Sequence, residues 1–243
     1  MSEVELLFVT SGERCTIYTI QFLSDEQNEF EKFIAKFRNN AELNPDFQAI
    51  MRFVEQIIDN GALERYFRRE GKMNDSVVAL PVLKSKLRLY CLRLTDKILV
   101  IGNGDVKNRR TYQEDDTLQG YVMDLQKFER LLKQEESLGN VTITEREIIT
   151  DKTFDIMKSA NIPLKEIFNE IPQEKREETR LSFEISNKLE ALMKEKRLNR
   201  KQLAEAVGKR PNEVTRWLSG EHNFTISTLA MLSNFFGKDI ISV

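Results

Sequence analysis

The sequence predicts an α+β N-terminal domain, with two helices on a small antiparallel sheet, followed by an all-α C-terminal domain. Its N-terminal half contains segments rich in β-branched and aromatic residues, separated by two amphipathic helical patterns. The C-terminal part contains helical patterns only. The length of 243 residues exceeds that of one average domain and fits two.

The N-terminal elements are delimited by turn and capping signals. Ser11 and Gly12 form a turn signal between two β segments, Ser24 and Gln27 form a capping-box pattern before a helix, and Pro45 opens a second helix. In chain order the predicted elements are a hairpin of strands 5–11 and 15–23, helices 25–38 and 45–60, a β-meander of strands 76–83, 85–95 and 97–107, and a helix over 124–138. The glycine-containing run 102–105 lacks the Lys-Ser/Thr pair of a P-loop and is predicted to be a tight turn.

The run from Asn199 to Gly220 has the spacing of two helices that cross over a short turn. Asn199 and Gln202 form a capping box, and Gly208 ends that first helix. Pro211 starts the next helix, whose inward residues follow at i, i+3 and i+4, and Gly220 stops it. The outward face of the second helix is polar, so its side chains are suited to base edges or phosphates in a major groove.

This pattern resembles the Xre/Cro-type helix-turn-helix family over residues 182 to about 237. A first helix over 182–198 and a closing helix over 226–236 complete the resemblance. It implies sequence-specific DNA binding by Asn199, Lys201, Gln202, Arg210, Asn212, Thr215 and Arg216. Pro211 stands where the family often has a polar base-reading side chain, which shifts base recognition onto the residues after it. The alternative is a helical bundle used only for protein contacts.

Composition excludes several classes of function. No apolar stretch approaches the roughly 20 residues of a membrane span, and the acidic start has no leader pattern, so we expect a cytoplasmic protein without membrane contact. Cys15 and Cys91 lack metal-ligand spacing and are expected to be core residues. His222 is the only histidine, so a catalytic histidine in the first 220 residues is excluded. We expect no metal and no cofactor.

Domain boundaries follow from helix ends and charge. We expect a first domain over 1–140, a connector over 141–181 and a DNA-binding domain over 182–243. The connector contains Pro163, Pro172 and several large apolar residues, which are too many for a flexible tether, so it is expected to pack on something.

Basic residues concentrate in the β-meander. Residues 65–110 contain 12 Lys or Arg and 4 Asp or Glu, which suggests a polyanion partner, although a solvated charged surface is the simpler explanation of such a run. The strand 85–95 alternates, with Lys86, Arg88 and Tyr90 on one face. A strand with cations and a phenol on one side, following two helices inside a meander, resembles the RelE/ParE toxin superfamily over residues 83–110.

That resemblance implies a ribosome-dependent mRNA endoribonuclease. Attack by a ribose 2′-hydroxyl requires a proton acceptor, cations against the phosphate charge and a proton donor, none of which has to be histidine. The implied catalytic residues are Lys84, Lys86, Arg88, Tyr90 and Arg93, and the implied phosphate-binding residues are Lys107, Arg109, Arg110 and Tyr112. A lysine base needs a lowered pKa, which a cluster of cations could supply. The alternative is a basic sheet face covered by the connector or a partner chain.

Together these patterns predict a toxin-like domain fused to an antitoxin-type repressor. The repressor would bind operator DNA as a homodimer at a palindromic site. The connector or the helical domain would mask the basic face and hold the nuclease inactive, because tethering raises their effective concentration. A second hypothesis is a transcriptional regulator whose N-terminal domain is non-catalytic and mediates assembly or partner binding. A third is a gyrase poison, which shares the toxin fold but leaves mRNA intact.

Overall fold

The chain folds into two compact units, Met1–Glu170 and Ile171–Val243, in a computed structural model. The structure describes residues 4–69, 76–80, 85–107, 112–150 and 158–241. The elements of the first unit are β1 Val4–Ser11, β2 Thr16–Phe22, α1 Glu29–Phe37, α2 Asn44–Asn60, β3 Arg68–Arg69, β4 Val77–Ala79, β5 Leu87–Thr95, β6 Ile98–Val106, α3 Asp116–Ser137, β7 Val141–Ile143, β8 Ile148–Thr150 and α4 Leu164–Asn169. Those of the second unit are α5 Gln173–Glu195, α6 Arg200–Ala206, α7 Pro211–Trp217 and α8 Ile226–Phe236.

The sheet of the first unit is six-stranded and mixed, which corrects the predicted small antiparallel sheet. Its strand order is β1-β2-β6-β5-β4-β3, and β2 pairs with β6 in parallel, from Thr16 opposite Ile98 to Thr19 opposite Ile101. The predicted hairpin β1–β2 and the antiparallel order of β4, β5 and β6 are confirmed. Strands β2 and β6 lie inside the sheet, where the first five residues of β2 and the first seven of β6 are buried on both faces.

Helices cover both faces of this sheet. On one face α3 packs over Tyr18, Tyr90 and Val100. On the other face the backbone N–H of Phe30, in α1, donates to the Thr19 hydroxyl at 3.3 Å. Helix α2 lies beside α1, since the rings of Phe33 and Phe47 are 6.0 Å apart. The first unit is therefore a three-layer α/β/α arrangement.

Two local predictions in the first unit are wrong. The capping box of α1 is formed by Asn28 and Glu31, not by Ser24 and Gln27, because the chain first turns between Phe22 and Asp25. The run 102–105 is not a tight turn but part of β6, where the amide of Asn103 donates to the buried Glu29 carboxylate at 2.8 Å. That contact fixes α1 against the end of β6.

Much of the predicted connector belongs to the first unit. The hairpin β7–β8 packs on the α3 face of the sheet through Val141 and Ile148. The backbone N–H of Ala160 donates to the carbonyl of Phe8 at 2.7 Å, at the edge of β1. Helix α4 lies against α2 and its C-cap Glu170 forms an ion pair with Arg38. The described part of the connector thus contacts β1, α1 and α2.

The two cysteines are expected to resist thiol reagents in the folded protein. Both are completely buried; burial raises the pKa of Cys15 to about 12 and raises the pKa of Cys91 well above its usual range. A rise from 9.0 to about 12 leaves about a thousandfold less thiolate near neutral pH. We expect Ellman's reagent to label both thiols only after denaturation. Rapid labelling of either thiol in native buffer would contradict the packing around it.

The second unit is a helical bundle with its own core. Helix α5 begins at Gln173, nine residues before the predicted start, while α6, α7 and α8 lie where the sequence predicts them. The core contains Leu189, Leu203, Val214, Trp217 and Leu232. Among the residues that the structure describes, no helix of either unit has both the length and the apolar character that crossing a bilayer requires.

Candidate nucleic-acid interface

Helix α6 is fixed at its start by the predicted capping box. The Asn199 side-chain oxygen accepts from the backbone N–H of Gln202 at 2.9 Å, and the Gln202 side-chain oxygen accepts from the backbone N–H of Asn199 at 2.9 Å. Each side chain therefore has one capping bond but remains exposed. Their amide N–H groups and the neighbouring exposed Lys201 are available at the same helix end.

Helix α7 starts at Pro211 with an inward face that anchors it. Val214 and Trp217 are buried, and the Ser186 hydroxyl of α5 donates to the carbonyl of Trp217 at 2.5 Å. At the helix start the carboxylate of Glu213 accepts from the backbone N–H of Arg210 at 3.0 Å. That hydrogen bond, followed by nearby basic side chains, lowers the pKa of Glu213. The carboxylate is thus held in its ionised form at the helix start, as the macrodipole favours.

The outward face of α7 carries Asn212, Thr215 and Arg216, all of them exposed. Their spacing of i, i+3 and i+4 places them on one side of the helix. The Thr215 hydroxyl donates back to the carbonyl of Pro211 at 3.1 Å. Arg210 is exposed at the entrance of the helix. The structure therefore brings together the polar residues that the sequence predicts for DNA contacts.

A tight turn follows α7 and packs against α5. Gly220 has a φ of +80°, and a Cβ at this position would lie 2.7 Å from Cε2 of Phe183 in α5. Only glycine fits without displacing that ring. The Ser182 hydroxyl of α5 also donates to the carbonyl of His222 at 3.1 Å. Helix α7 is therefore held on a rigid support from α5.

The charge of this region is positive. Residues 189–242 contain nine Lys or Arg and six Asp or Glu. Arg200 and Lys209, which were not among the predicted contacts, are exposed at the start of α6 and in the turn before α7. Both lie inside the run from Asn199 to Gly220, and this position in the sequence could have identified them as contacts. Burial, followed by the neighbouring Arg216, lowers the pKa of His222, which favours the neutral imidazole.

The predicted nuclease residues do not form one exposed face. Tyr90 is 1% exposed and packs in the core beneath α3. The guanidinium of Arg88 donates to the carbonyls of Ser85 and Leu87 at 3.2 and 2.9 Å. The Nε of Arg93 donates to the carbonyl of Ala62 at 2.6 Å, and its guanidinium forms an ion pair with Asp96.

The other predicted contacts of this region are exposed, half-buried or outside the described residues. Lys86 is exposed and its Nζ lies 3.0 Å from the Glu42 carboxylate. Lys107 is half-buried after β6. Lys84, Arg109 and Arg110 lie outside the described residues, and Tyr112 begins a short 3₁₀ turn. The geometry thus buries the phenol that the nuclease hypothesis places against RNA.

Within the described ranges, no group of three or more His, Cys, Asp or Glu residues is arranged to hold a metal ion. The interface on the second unit therefore consists of amide, hydroxyl and cationic groups, which suit hydrogen bonding to bases and phosphates.

Comparison with known proteins supports the C-terminal part of this description. Searches of curated proteins and of solved structures found no match to the chain. No comparison supports a RelE/ParE-like domain in the first unit. The matched segment comprises the C-terminal part of α5 and helices α6, α7 and α8. Residues 189–242 match the family described as helix-turn-helix, so the second unit contains a helix-turn-helix domain.

Proposed function

We propose that the second unit binds a specific DNA sequence and that the protein is a transcriptional regulator. The observation that carries this proposal is the exposed polar face of α7, formed by Asn212, Thr215 and Arg216 on a helix whose other face is buried. A helix so presented fits the major groove, where amide and guanidinium groups distinguish base pairs.

Exposed cations around α7 supply the phosphate contacts. Lys201 and Arg210 flank the polar face, and Arg200 and Lys209 extend it on the α6 side. Each phosphate that they neutralise releases a counterion, so affinity should fall as salt rises. With four such contacts, the slope of log K against log salt should be about −3 to −4. A slope near zero would contradict an interface of this composition.

An Arg216→Ala substitution should weaken specific DNA binding. If the guanidinium contacts a guanine, its loss should reduce specific affinity by about 1–3 kcal/mol, or roughly 5- to 150-fold, because a bidentate base contact disappears. The target is first selected from a random duplex pool with the intact protein. Affinity is then measured by fluorescence anisotropy on the selected sequence.

The control is Lys175→Ala on α5. Lys175 pairs with Glu178 at 2.8 Å and lies 11 residues, or roughly 16 Å, before Ser186, where α5 contacts Trp217 of α7. This substitution removes the same charge away from α7 and should change affinity less than about twofold. Equal losses in both variants would show a general charge effect instead of a contact by Arg216.

We further propose that the protein binds as a homodimer at a palindromic operator, including one in its own promoter. A seven-residue α7 spans few base pairs, so two copies with α7 helices about 34 Å apart are needed for a site of useful specificity. Light scattering of the protein with and without its selected duplex tests this stoichiometry. One chain per duplex at saturation would contradict it.

For the first unit the geometry favours the non-catalytic role in assembly or partner binding. Tyr90 lies in the core, and Arg88 and Arg93 donate to backbone carbonyls of their own unit. An mRNA endoribonuclease or a gyrase poison built on this strand would need those groups to be released.

Expression of residues 1–170 tests this role, with folding checked by circular dichroism. We expect continued growth and intact mRNA. Growth arrest with cut messages, relieved by Arg88→Ala, would restore the ribonuclease hypothesis, and DNA breaks with intact messages would favour gyrase poisoning.

A further inference from the structure

We propose that α7 reads a box of two or three consecutive base pairs through three distinct contacts: Asn212 with adenine, the Thr215 methyl group with a thymine methyl group, and Arg216 with guanine. This inference rests on the proposed DNA-binding function and specifies its target. The evidence is that some polar groups of α7 form hydrogen bonds within the protein, whereas others are exposed.

Thr215 presents a methyl group because its hydroxyl is occupied. The hydroxyl donates to the carbonyl of Pro211 one turn earlier, at 3.1 Å. With Oγ tied to the helix backbone, the γ-methyl group is the part of this exposed side chain that projects outward. In the major groove the matching apolar group is the C5-methyl of thymine.

Glu213 and Pro211 contribute no base contact of their own. The Glu213 carboxylate accepts from the backbone N–H of Arg210 at 3.0 Å, so it caps the helix instead of accepting from a cytosine amino group. Pro211 has no polar side-chain atom. The Glu213 carboxylate is therefore held at the helix start, and we expect α7 not to select cytosine on the strand that it contacts.

Asn212 and Arg216 keep their full donor sets. Both side chains are exposed, and within the described part of the chain no hydrogen bond or ion pair engages either side-chain head group. An asparagine amide pairs with N6 and N7 of adenine, and a guanidinium pairs with O6 and N7 of guanine. Each contact uses N7 of a purine, which makes it accessible to a single-atom test.

The spacing of the three residues sets the size of the box. Residues three and four positions apart are separated by about 4.5–6 Å along a helix axis. Base pairs follow one another about every 3.4 Å along the duplex. The three contacts therefore fall within two or three neighbouring base pairs when the helix follows the groove.

The Thr215 contact is tested with the intact protein and its selected duplex, replacing one thymine at a time by uracil. This exchange removes only the C5-methyl group. At one position the wild-type protein should lose about fourfold in affinity, the effect of one buried methyl group. Thr215→Val keeps the methyl group and removes the hydroxyl, so it should still prefer thymine to uracil. Thr215→Ser keeps the hydroxyl and removes the methyl group, so it should lose this preference. No uracil effect in the wild type, or retention by Thr215→Ser, would overturn the contact.

The purine contacts are tested by replacing N7 with carbon. A 7-deazaguanine within the box should weaken wild-type binding about tenfold and leave Arg216→Ala unaffected, and 7-deazaadenine should do the same for Asn212→Ala. Insensitivity of the wild type at every purine, on a duplex that it still selects, would overturn the base assignments while leaving DNA binding intact. Failure to enrich any sequence from the random pool would instead overturn the proposed function.

Discussion

Gly104→Ala should strongly destabilise the first unit. A Cβ on Gly104 would lie 1.8 Å from the carbonyl oxygen of Arg88 and 2.9 Å from Cα of Leu89. Both are backbone atoms of β5, the strand that pairs with β6. The methyl group cannot be accommodated by a side-chain rotation, so the pairing must open beside the irregularity between Leu89 and Cys91. We expect a loss of about 4–5 kcal/mol in the free energy of unfolding.

The matched control is Gly120→Ala in the same unit. Gly120 lies within α3, and a Cβ there would meet no atom within 4 Å. Alanine in a helix interior is favoured over glycine by about 0.5–1 kcal/mol, so this variant should be slightly more stable than the wild type. Hydrogen exchange in peptides from β5 and β6 reports the difference. Unchanged protection of those peptides in Gly104→Ala would contradict the close approach of the two strands.

Local sequence signals predicted most elements of the fold correctly. The β1–β2 hairpin, the meander order and helices α6 to α8 each depend on turn residues, caps or a periodicity within one segment. The capping box at Asn199 and Gln202 is an example, because both partners lie within four residues. Such features require no knowledge of what packs against the segment.

The order of strands in the sheet was not predictable, because it depends on contacts between distant segments. The parallel pairing of β2 with β6 joins residues about 80 positions apart, and no local pattern specifies which strand becomes a neighbour. The apolar run at the start of β6 is typical of a strand buried on both faces, whereas the predicted arrangement has two helices on a small antiparallel sheet. Helix α3 was predicted to start at residue 124, although Leu118 and Val122 already continue its buried stripe from Leu125 towards the N-terminus.

Strand β5 shows how an unpredicted contact between distant segments changes a functional prediction. Alternation places Arg88 and Tyr90 on one face, and the sequence alone cannot show whether a helix covers that face. Because α3 covers it, Tyr90 is a core residue and contributes packing instead of a site. On α7 the same reasoning predicted exposed residues correctly, since a short amphipathic helix in a small helical unit has only one face to bury.

Trp217→Ala should unfold the second unit and abolish its DNA binding. Trp217 is 2% exposed, lies in the core with Val214 and Leu232, and accepts the Ser186 hydroxyl through its backbone carbonyl. Truncation of a buried tryptophan reduces stability by about 3–5 kcal/mol through lost apolar burial and the cavity left behind. In a unit of this size that loss approaches the whole free energy of unfolding. The Trp217→Ala protein should therefore lose both the cooperative thermal unfolding transition of the second unit and its binding to the selected duplex.

Ile226→Ala separates this core effect from the general loss of an apolar side chain. Ile226 is 86% exposed at the first position of α8, so its truncation removes little buried area and should change stability by less than about 0.5 kcal/mol.

Comparison of the two variants also tests how α7 is presented to DNA. If α7 is held in place mainly by its buried face, Trp217→Ala must lose affinity even where Asn212, Thr215 and Arg216 are unchanged, because all three depend on the orientation that Val214 and Trp217 impose. A Trp217→Ala protein that still bound its duplex with wild-type affinity would mean that DNA itself can order α7, and the rigid support from α5 would then not be required for recognition.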